Sequence, residues 1–422
     1  AVALDQADPL PRLGLGLTLI RGGELERGRE QIEIAASLDP GNALVRSYLG
    51  KAFYEERKAV LALRQFEVAK ELDPNDPTPW LYDALRKQGL NRPIEALDDL
   101  QTSAALNDNR AVYRSRLLLD DDQATRSAGL ARIYTDLGFD QLALVEGNRA
   151  IIRDPGNYAA HRQLADANVG QARHQITRTS ELLTAQLLQP LNINPVQPQL
   201  AEGNLFFIPG TTPAEMGLNA YDTLFLRNRL ALAGGIVAGE EDTLGTEIVQ
   251  SGLWNGFSYS LGHFHYESDG FRTNNDQEQD HYNIFSQVQV DHKTSLQVEF
   301  RARDFESGDL SQYFEAGNES DTLRSNLLTE TYRVGARHQI GPGSDLIGSF
   351  IYQKREEEEA EPLEFSEFEI DSNVDHTGFE GQHLFNGRRY NLTSGMGISR
   401  YNSESTLSFT QTFPFEYSES TL

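Results

Sequence analysis

The residues best suited to metal chemistry are histidines spaced two positions apart in one stretch of the chain. His263, His265 and Glu267 would share one face of a β-strand, and His281 could approach them from a neighbouring strand. Imidazole and carboxylate groups in this arrangement are typical ligands of transition metals. Single histidines are equally ordinary as polar side chains on a strand face. We favour that second interpretation and predict no metal site.

Other signs of catalytic chemistry are scarce. The segment 356–371 holds nine carboxylates and no basic residue, so it could bind divalent cations, but we favour a solvated loop whose charges repel one another. Gly341-Pro342-Gly343 predicts a turn, because no Gly-Lys-Ser element of a phosphate-binding loop is present. The absence of cysteine excludes disulfides, thiolate metal sites and a cysteine nucleophile. We therefore predict no catalytic residue, no cofactor and no enzymatic activity.

The composition limits the partners and the mode of any membrane crossing. The 422 residues carry a formal net charge of -26, which argues against nucleic acid as a partner, since phosphate binding needs a basic surface. No apolar run approaches the roughly 18 residues of a membrane-spanning helix. A membrane could then be crossed only by a β-barrel, the other structure that satisfies its backbone groups in lipid.

The stretch 282–305 contains two alternating runs joined by a short polar turn, which predicts an antiparallel hairpin with one mostly apolar face. We expect the hairpin to pivot near Lys293. The expected pairs are Val290 with Leu296, Val288 with Val298, and Ser286 with Phe300. The alternation alone fits a soluble sheet as well as a membrane barrel.

The connections between the alternating runs favour the barrel. Turns on one side are tight, whereas those on the other are mostly long and polar, as at 306–328 and 355–375, and this alternation is typical of outer-membrane barrels. We count about ten strands and expect a fragment of a larger barrel rather than a small complete one. The runs are 223–233, 246–254, 256–267, the two within 282–305, 331–340, 345–354, 376–385, 389–401 and 405–415.

Charged residues in these runs must avoid lipid, because a charge in mid-membrane costs about 2–4 kcal/mol. The residues predicted to face the barrel lumen are Glu299, Arg301, Arg303, Arg333 and Arg337.

The first 157 residues repeat with a period of 34. Leu38-Asp39-Pro40, Leu72-Asp73-Pro74 and Leu106-Asn107-Asp108 follow at this spacing, and Asp154-Pro155 closes a fourth unit after the insertion 111–123. This period is the signature of tetratricopeptide repeats, helix pairs that stack into a solenoid. We expect the insertion to be an extended excursion or a longer helix end. The segment 158–189 would be one more helix pair or a long capping helix.

The chain is thus predicted to be an α + β multidomain protein. An α-solenoid occupies 1–189, a Pro-rich linker or short plug 190–222, and an antiparallel transmembrane β-barrel segment 223–422. Such solenoids bind protein segments on the concave surface formed by the first helix of each pair. The residues predicted to bind there are Lys51, Tyr54, Leu85, Gln88 and Arg132.

These repeats at about 9–157, followed by strands at about 223–415, resemble bacterial outer-membrane proteins that join a periplasmic helical scaffold to a barrel, as in exporters of poly-N-acetylglucosamine and related exopolysaccharides. The strands also resemble part of the barrel of TonB-dependent receptors, whose long plug domain this chain lacks. The resemblance implies an outer-membrane location with the repeats in the periplasm and the long acidic loops outside the cell. It also implies contact with outer-membrane lipid, a periplasmic or secreted protein in the groove, and a polysaccharide as cargo.

Three functions stay open at this stage. The barrel exports or assembles a polymer, polysaccharide or protein, at the cell surface; or it is an uptake receptor for a small ligand; or the chain is a soluble repeat scaffold with a sheet domain. We favour the first.

Overall fold

The computed structural model describes residues 2–3, 5–112, 119–168, 175–189, 191, 225, 227–313, 317–363, 366–387 and 389–411. Within these residues, ten α-helices that form a helical domain precede one antiparallel sheet of nine strands, so the architecture is α + β. None of the described helices is both long and apolar enough to cross a membrane.

The helices form five consecutive pairs, and the two members of each pair pack against each other. The first helices of three pairs begin at Pro9, Ala43 and Pro77, each 34 residues after the previous one, so the pairs follow the predicted period. The helices are α1 (Pro9–Arg21), α2 (Leu25–Leu38), α3 (Ala43–Glu55), α4 (Ala59–Leu72), α5 (Pro77–Gly89), α6 (Pro93–Ala105), α7 (Leu119–Asp136), α8 (Asp140–Arg153), α9 (Tyr158–Ala167) and α10 (Gln175–Leu188).

Capping residues set the start of each repeat. Asp8, Asn42 and Asp76 precede α1, α3 and α5, and their side chains accept hydrogen bonds of 3.0, 3.1 and 2.8 Å from backbone N–H groups of the first turn. Each such N-cap stabilises its helix by about 0.5–2 kcal/mol. The repeated Asp or Asn therefore fixes where every first helix begins.

Glycine allows the paired helices to approach closely. A Cβ built on Gly16 of α1 would lie 2.7 Å from the carbonyl oxygen of Gly28 in α2. In the second pair, a Cβ on Gly50 would lie 2.5 Å from the ring of Phe66. The small residues of the repeat pattern thus mark the points of closest helix contact.

Two parts of the helical domain depart from the regular repeat: the insertion 111–123 and the segment 158–189. The insertion 111–123 lies partly outside the described residues, but its end belongs to α7. Helix α7 has 18 residues, more than the 13 of α3, so the prediction of a longer helix end is correct there. The segment 158–189 forms the pair α9 and α10, which confirms the helix-pair alternative. The predicted linker or plug at 190–222 lies outside the described residues apart from Leu191.

The sheet is a simple meander in which every strand pairs with its neighbours in sequence. The edge strands β1 and β9 do not pair with each other in the described chain, so the described sheet is open, and the barrel of which it was predicted to be a segment stays a prediction. The strands are β1 (Arg229–Ala238), β2 (Leu244–Trp254), β3 (Phe257–Ser268), β4 (Gln277–Gln289), β5 (Thr294–Ser307), β6 (Arg324–Gly341), β7 (Ser344–Leu363), β8 (Ser366–Asn386) and β9 (Asn391–Gln411).

The two faces of the sheet have opposite character. Val298 is 53% exposed, whereas the next residue, Glu299, is only 6% exposed and lies on the face that α10 covers. We call the exposed side the apolar face; it carries Leu230, Leu232, Ile236, Ile248, Leu261, Ile284, Val288, Leu296, Val298, Val334, Phe350, Phe379, Met396 and Ile398. The opposite side is the polar face; its buried residues include Ser258, Ser260, Asn283, Gln287, Gln297, Glu299, Arg333 and Ser349.

The predicted register of the 282–305 hairpin was wrong by two residues. The structure pairs Val288 with Leu296, Ser286 with Val298 and Ile284 with Phe300. The turn is tighter than expected, because Val290 N–H donates to the Thr294 carbonyl at 2.9 Å and Asp291 Oδ1 accepts from the backbone of Lys293 and Thr294. A shift of two positions leaves every side chain on its predicted face.

The long acidic loop predicted at 355–375 was also wrong. This segment belongs to β7 and β8, and Glu356 to Glu359 pair along their length with both neighbouring strands. Strand geometry directs successive carboxylates to opposite faces, which separates charges that we expected to repel one another into a loop. The loop between β5 and β6 is likewise shorter than predicted, spanning 308–323.

The ends of the sheet differ from prediction in two further ways. The first strand begins at Arg229 rather than at 223, and Phe225 and Arg227 contact the helical domain instead. The runs predicted at 389–401 and 405–415 are joined in the single strand β9 as far as Gln411, because Ser403 and Glu404 continue the pairing with β8. The described sheet therefore has nine strands rather than about ten.

The tight turns lie on the side of the helical domain, as the topology predicts. Asn228 N–H donates to the Arg21 carbonyl at 3.3 Å, and Asn391 Nδ2 donates to the Ile152 carbonyl at 2.6 Å. On the polar face, Leu187 and Leu188 of α10 pack with Ile347 and Leu384 of the sheet (Tyr158 lies beside them). The helical domain thus contacts the sheet both at its turns and across its polar face.

The close contact between α1 and α2 gives a matched pair of tests. We expect Gly16→Ala to lower the free energy of unfolding by about 1–3 kcal/mol, because the new methyl group overlaps backbone atoms of α2. Gly14→Ala on the same helix meets no atom within 4 Å and should instead stabilise by about 0.5–1 kcal/mol. Urea unfolding followed by far-UV circular dichroism measures both; equal effects would contradict the packing described.

Candidate functional site

The predicted binding residues Lys51 and Tyr54 lie in a pocket built by α3 and α5. Lys51 is fully buried, and its ammonium pairs with Glu55 Oε1 at 2.6 Å. The same ammonium lies 5.2 Å from the ring centroid of Tyr54 and 5.9 Å from that of Tyr82. Burial and the adjacent Glu55 carboxylate raise the pKa of the Tyr54 hydroxyl. This part of the groove therefore combines a cation, an anion and aromatic rings.

The pocket is filled by the protein's own segment between the linker and β1. The ring of Phe225 is only 5% exposed; it lies 6.4 Å from the ring of Tyr48 and 6.3 Å from that of Tyr82, measured between centroids. Arg227 Nη1 reaches the second oxygen of Glu55 at 2.6 Å. We call Tyr48, Lys51, Glu55 and Tyr82 the aromatic pocket.

Gln88 of α5 and Arg132 of α7 both contact Asp136. Gln88 Nε2 donates to Asp136 Oδ2 at 2.7 Å, and Arg132 Nη2 pairs with Asp136 Oδ1 at 2.9 Å. Leu85, by contrast, is 4% exposed and belongs to the hydrophobic core. The structure thus brings the predicted residues together as two polar groups, and it places Leu85 beneath the surface.

Sequence reasoning missed Glu55, Asp136, Phe225 and Arg227. Phe225 and Arg227 were assigned to the first strand because the alternating run begins before them. Charge is the signal that could have distinguished Phe225 and Arg227 from the strand. Two arginines, Arg227 and Arg229, alternate here, whereas the other positions of the run are apolar or small. Glu55 and Asp136 each occupy the last turn of a first helix, where an acidic residue can face an incoming basic side chain.

A buried charge cluster lies beside the pocket, between α4, α5 and α6. Lys70 Nζ lies 2.7 Å from an oxygen of Asp83 and 3.3 Å from one of Asp99. Arg86 pairs with Asp83 at 2.7 Å, and Lys87 pairs with Asp99 at 2.6 Å. These ion pairs hold three consecutive helices together.

The two carboxylates of this cluster titrate as a coupled pair. Burial would raise the pKa of Asp83, but the hydrogen bond from Lys70 and the charge of Arg86 bring it below its ordinary value. The pKa of Asp99 lies above its ordinary value, because burial and the negative charge of Asp83 outweigh the contacts with Lys87 and Lys70. Lys70 and Lys87 each pair with both carboxylates, but Lys70 lies closer to Asp83, at 2.7 Å against 3.7 Å for Lys87.

All five residues predicted for a lumen lie on the polar face. Glu299 is the centre of the largest group: Arg333 Nη2 lies 2.6 Å from its Oε2, and Arg301 Nη2 lies 2.7 Å from its Oε1. Arg337 pairs with Asp345 at 2.6 Å, and the Arg303 guanidinium lies 5.0 Å from the ring centroid of Phe305.

Helix α10 closes over this charged group and leaves a cavity. Arg333 Nη2 donates to Gln186 Oε1 at 2.6 Å, and Gln287 Nε2 donates to the Gln189 carbonyl at 2.7 Å. The cavity between helix and strands has a volume of about 240 Å³. Thr179, Arg301, Thr331 and His376 are among the residues that line it. The polar face is therefore solvated in part and bound to helix in part.

The predicted histidine group is only partly formed. His281 lies on the polar face, opposite His263 and His265, because its strand partner is Phe264. Asp280 takes its place on the outer side, where its Oδ1 lies 2.7 Å from His263 Nε2 and 3.2 Å from His265 Nδ1. Glu278 brings a further ligand atom within 4.8 Å of those of His265 and Asp280. The hydrogen bonds to Asp280 hold the imidazoles of His263 and His265 on this side of the sheet.

The sequence matches no protein-family model, and no curated protein matches it. Solved structures that are similar to part of the chain include PilF of Pseudomonas aeruginosa, which is 15% identical over 44% of this chain and 82% of that chain, with a TM-score of 0.37. PilW, described as a widely conserved type IV pilus biogenesis factor, is 19% identical over 43% of this chain and 77% of that chain, with a TM-score of 0.35.

A structure of the APC/C hetero-tetramer Cut9-Hcn1 is 17% identical over 46% of this chain, with a TM-score of 0.39, and the match spans only 36% of that protein's chain. At such low identities and scores, the assignment of tetratricopeptide-like repeats rests on the helix pairs themselves.

The charge cluster predicts a large effect at one lysine. We expect Lys70→Ala to lower the free energy of unfolding by about 3–5 kcal/mol at neutral pH, because two buried carboxylates lose a shared cation. The raised pKa of Asp99 means that the folded state takes up a proton readily, so the loss should shrink as the pH falls toward about 5. Urea unfolding at the two pH values measures this.

The control is Lys58→Ala, since Lys58 also forms an ion pair, with Glu56 at 2.6 Å, but its side chain is 44% exposed. Its loss should be about 0–1 kcal/mol and independent of pH in this range. Similar losses for the two variants would show that the buried cluster has no special role.

Proposed function

We propose that this chain is a bacterial outer-membrane protein whose sheet forms part of the wall of a transmembrane β-barrel. The helical domain lies in the periplasm and binds a protein there, and the barrel exports or assembles a polymer. The observation that carries this proposal is the inverted sheet: large apolar side chains are exposed on one face while charged residues are buried on the other.

The height of the apolar face supports lipid as its surroundings. Along β4 and the residue that follows it, the apolar face extends over the nine residues from Tyr282 to Val290, and the next residue outward on this face is Asp280. Nine residues at about 3.3 Å each, tilted by about 40°, span about 23 Å, close to the ~25 Å apolar band of outer-membrane barrels.

Aromatic residues mark the edge of this band. Phe300, Tyr332 and Tyr352 follow one another across three strands, with ring centroids 5.0 and 6.3 Å apart. Glu330 and Lys354 form the next residue pair outward on the same face. Aromatic girdles at the boundary between lipid and water are typical of outer-membrane barrels.

The polar face and the helical domain support the export role. Glu299, Arg301 and Arg333 give this face the polar and charged character that suits a lumen for a polar polymer, and α10 reaches onto the face from the helical domain. Helical repeats of this kind provide extended binding surfaces for protein segments. The tight turns face the helical domain, and in outer-membrane barrels the short turns are periplasmic.

Fractionation and conductance test the proposal and separate it from the alternatives. We expect the full chain in the outer-membrane fraction, extracted only by detergent. Recovery in the soluble fraction would leave a repeat scaffold with a sheet domain. In planar bilayers, block of the conductance by an exopolysaccharide supports export, whereas block by a small metal chelate supports uptake.

Val298→Arg tests the lipid contact of the apolar face. Val298 lies in the middle of the band and is 53% exposed, so an arginine there should cost about 2–4 kcal/mol in a bilayer and reduce insertion into vesicles. Asn326→Arg is the control, because Asn326 is exposed on the same face of β6 beyond the band. Equal insertion of the two variants would rule out lipid as the cover of this face.

Arg301→Ala tests the polar face as a conduit. Removing this guanidinium leaves the Glu299 carboxylate less neutralised, so the reversal potential in a salt gradient should shift toward cation selectivity. Arg324→Ala removes the same charge from the opposite face, where Arg324 pairs with Asp276. A shift no larger than that of Arg324→Ala would exclude Arg301 from the conducting path.

A further inference from the structure

We propose that the aromatic pocket recognises a segment in which an aromatic residue is followed two positions later by arginine. Phe225 and Arg227 are its resident ligand, and a partner protein carrying the same pair displaces them. The proposal rests on the scaffold role proposed for the helical domain, and it names the chemistry of the partner.

The pocket has separate subsites for the two side chains. The Phe225 ring contacts Tyr82 in a T-shaped arrangement at 81° and Tyr48 in a tilted one at 34°. The Lys51 ammonium lies 5.2 Å from the Phe225 centroid, within range of a cation–π contact. A planar aromatic side chain is therefore favoured over an aliphatic one at this subsite.

The second subsite selects a basic residue. The Glu55 carboxylate is bonded through one oxygen to Lys51 at 2.6 Å and through the other to Arg227 at 2.6 Å. Lys51 binds one oxygen of the Glu55 carboxylate from within the helical domain, so the second oxygen of Glu55 points toward the incoming residue. The two subsites are occupied by side chains two positions apart in sequence, Phe225 and Arg227.

The resident ligand lies next to the start of β1, so its displacement would affect this strand. Only Asn228 separates Arg227 from the start of β1, an edge strand that pairs on one side in the described sheet. Asn228 itself contacts Arg21, Gly22 and Asn255 at the boundary between helices and turns. Binding of a competing segment would release this joint and loosen β1, which couples partner binding to the edge of the sheet.

The test is peptide binding to the full chain, measured by fluorescence anisotropy with a labelled peptide of residues 221–229. Wild-type protein should bind it weakly, because the tethered segment competes at an effective concentration on the order of millimolar. Phe225→Ala/Arg227→Ala empties the pocket and should bind the peptide at least about tenfold more tightly. A peptide with alanine at the two key positions should not bind.

The site is checked by adding Glu55→Gln to the emptied variant, which should abolish the gain. Glu56→Gln is the matched control, since Glu56 lies next in sequence but pairs with Arg29 and Lys58. Equal affinity of wild-type and emptied protein, or an unchanged gain with Glu55→Gln, would overturn the proposal.

A second measurement uses wild-type protein and does not depend on the folding of any variant. Hydrogen exchange of residues 229–238 should rise when the peptide is present in excess, because displacement frees the start of β1. No rise at saturating peptide would show that the segment is a permanent structural joint. These outcomes do not depend on whether the chain lies in a membrane. The peptide-binding proposal can therefore fail while the membrane proposal holds, and the membrane proposal can fail while the peptide-binding proposal holds.

Discussion

The burial of Glu299 and Arg333 on the face of the sheet opposite Val298 is the constraint on which the architecture depends. A carboxylate this deeply buried is stable only when paired, and Arg333, Arg301 and the Asn283 amide all reach it. Their strands are thereby locked in a register that turns Val298 and its neighbours outward. The same alternation that buries the charges exposes the apolar side chains, so the two features cannot be separated by a local change.

The joint between helices and sheet follows from that arrangement. Because its apolar side faces outward, the sheet meets the helical domain mainly through polar groups and at its turns. Arg333 bonds Gln186, Gln287 bonds the Gln189 carbonyl, and Asn391 bonds the Ile152 carbonyl. A small apolar contact of Leu187 and Leu188 with Ile347 and Leu384 supplements them. Such a polar junction is well suited to rearrangement, since water can replace each bond when the parts separate.

Alternation and period were the parts of the fold that the sequence could predict. The side of each residue in 282–305 was correct, because a period of two follows from strand geometry and is unaffected by an error of two in register. The 34-residue helix pairs were correct for a similar reason, since the caps at Asp8, Asn42 and Asp76 repeat with the pattern. Strand ends were not predictable from polarity, because Glu356 to Glu359 are held in β7 by backbone pairing with β6 and β8. The occupant of the groove was missed because Arg227 and Glu55 are 172 residues apart in sequence, and nothing local indicates their contact.

The last three strands of the sheet are longer than a membrane crossing requires. β7, β8 and β9 contain 20, 21 and 21 residues, whereas a membrane crossing needs only about 9–11. The surplus lies on the side away from the helical domain, where Glu358 faces Asp371 across the strands and carboxylates occupy both faces. None of the described apolar side chains in this part is fully buried, so its cohesion comes mainly from backbone hydrogen bonds, and like charges placed opposite each other oppose it. Divalent cations or high salt would reduce that repulsion without any specific site, and the outer half of these strands should then be the part of the sheet whose order responds most to ionic conditions.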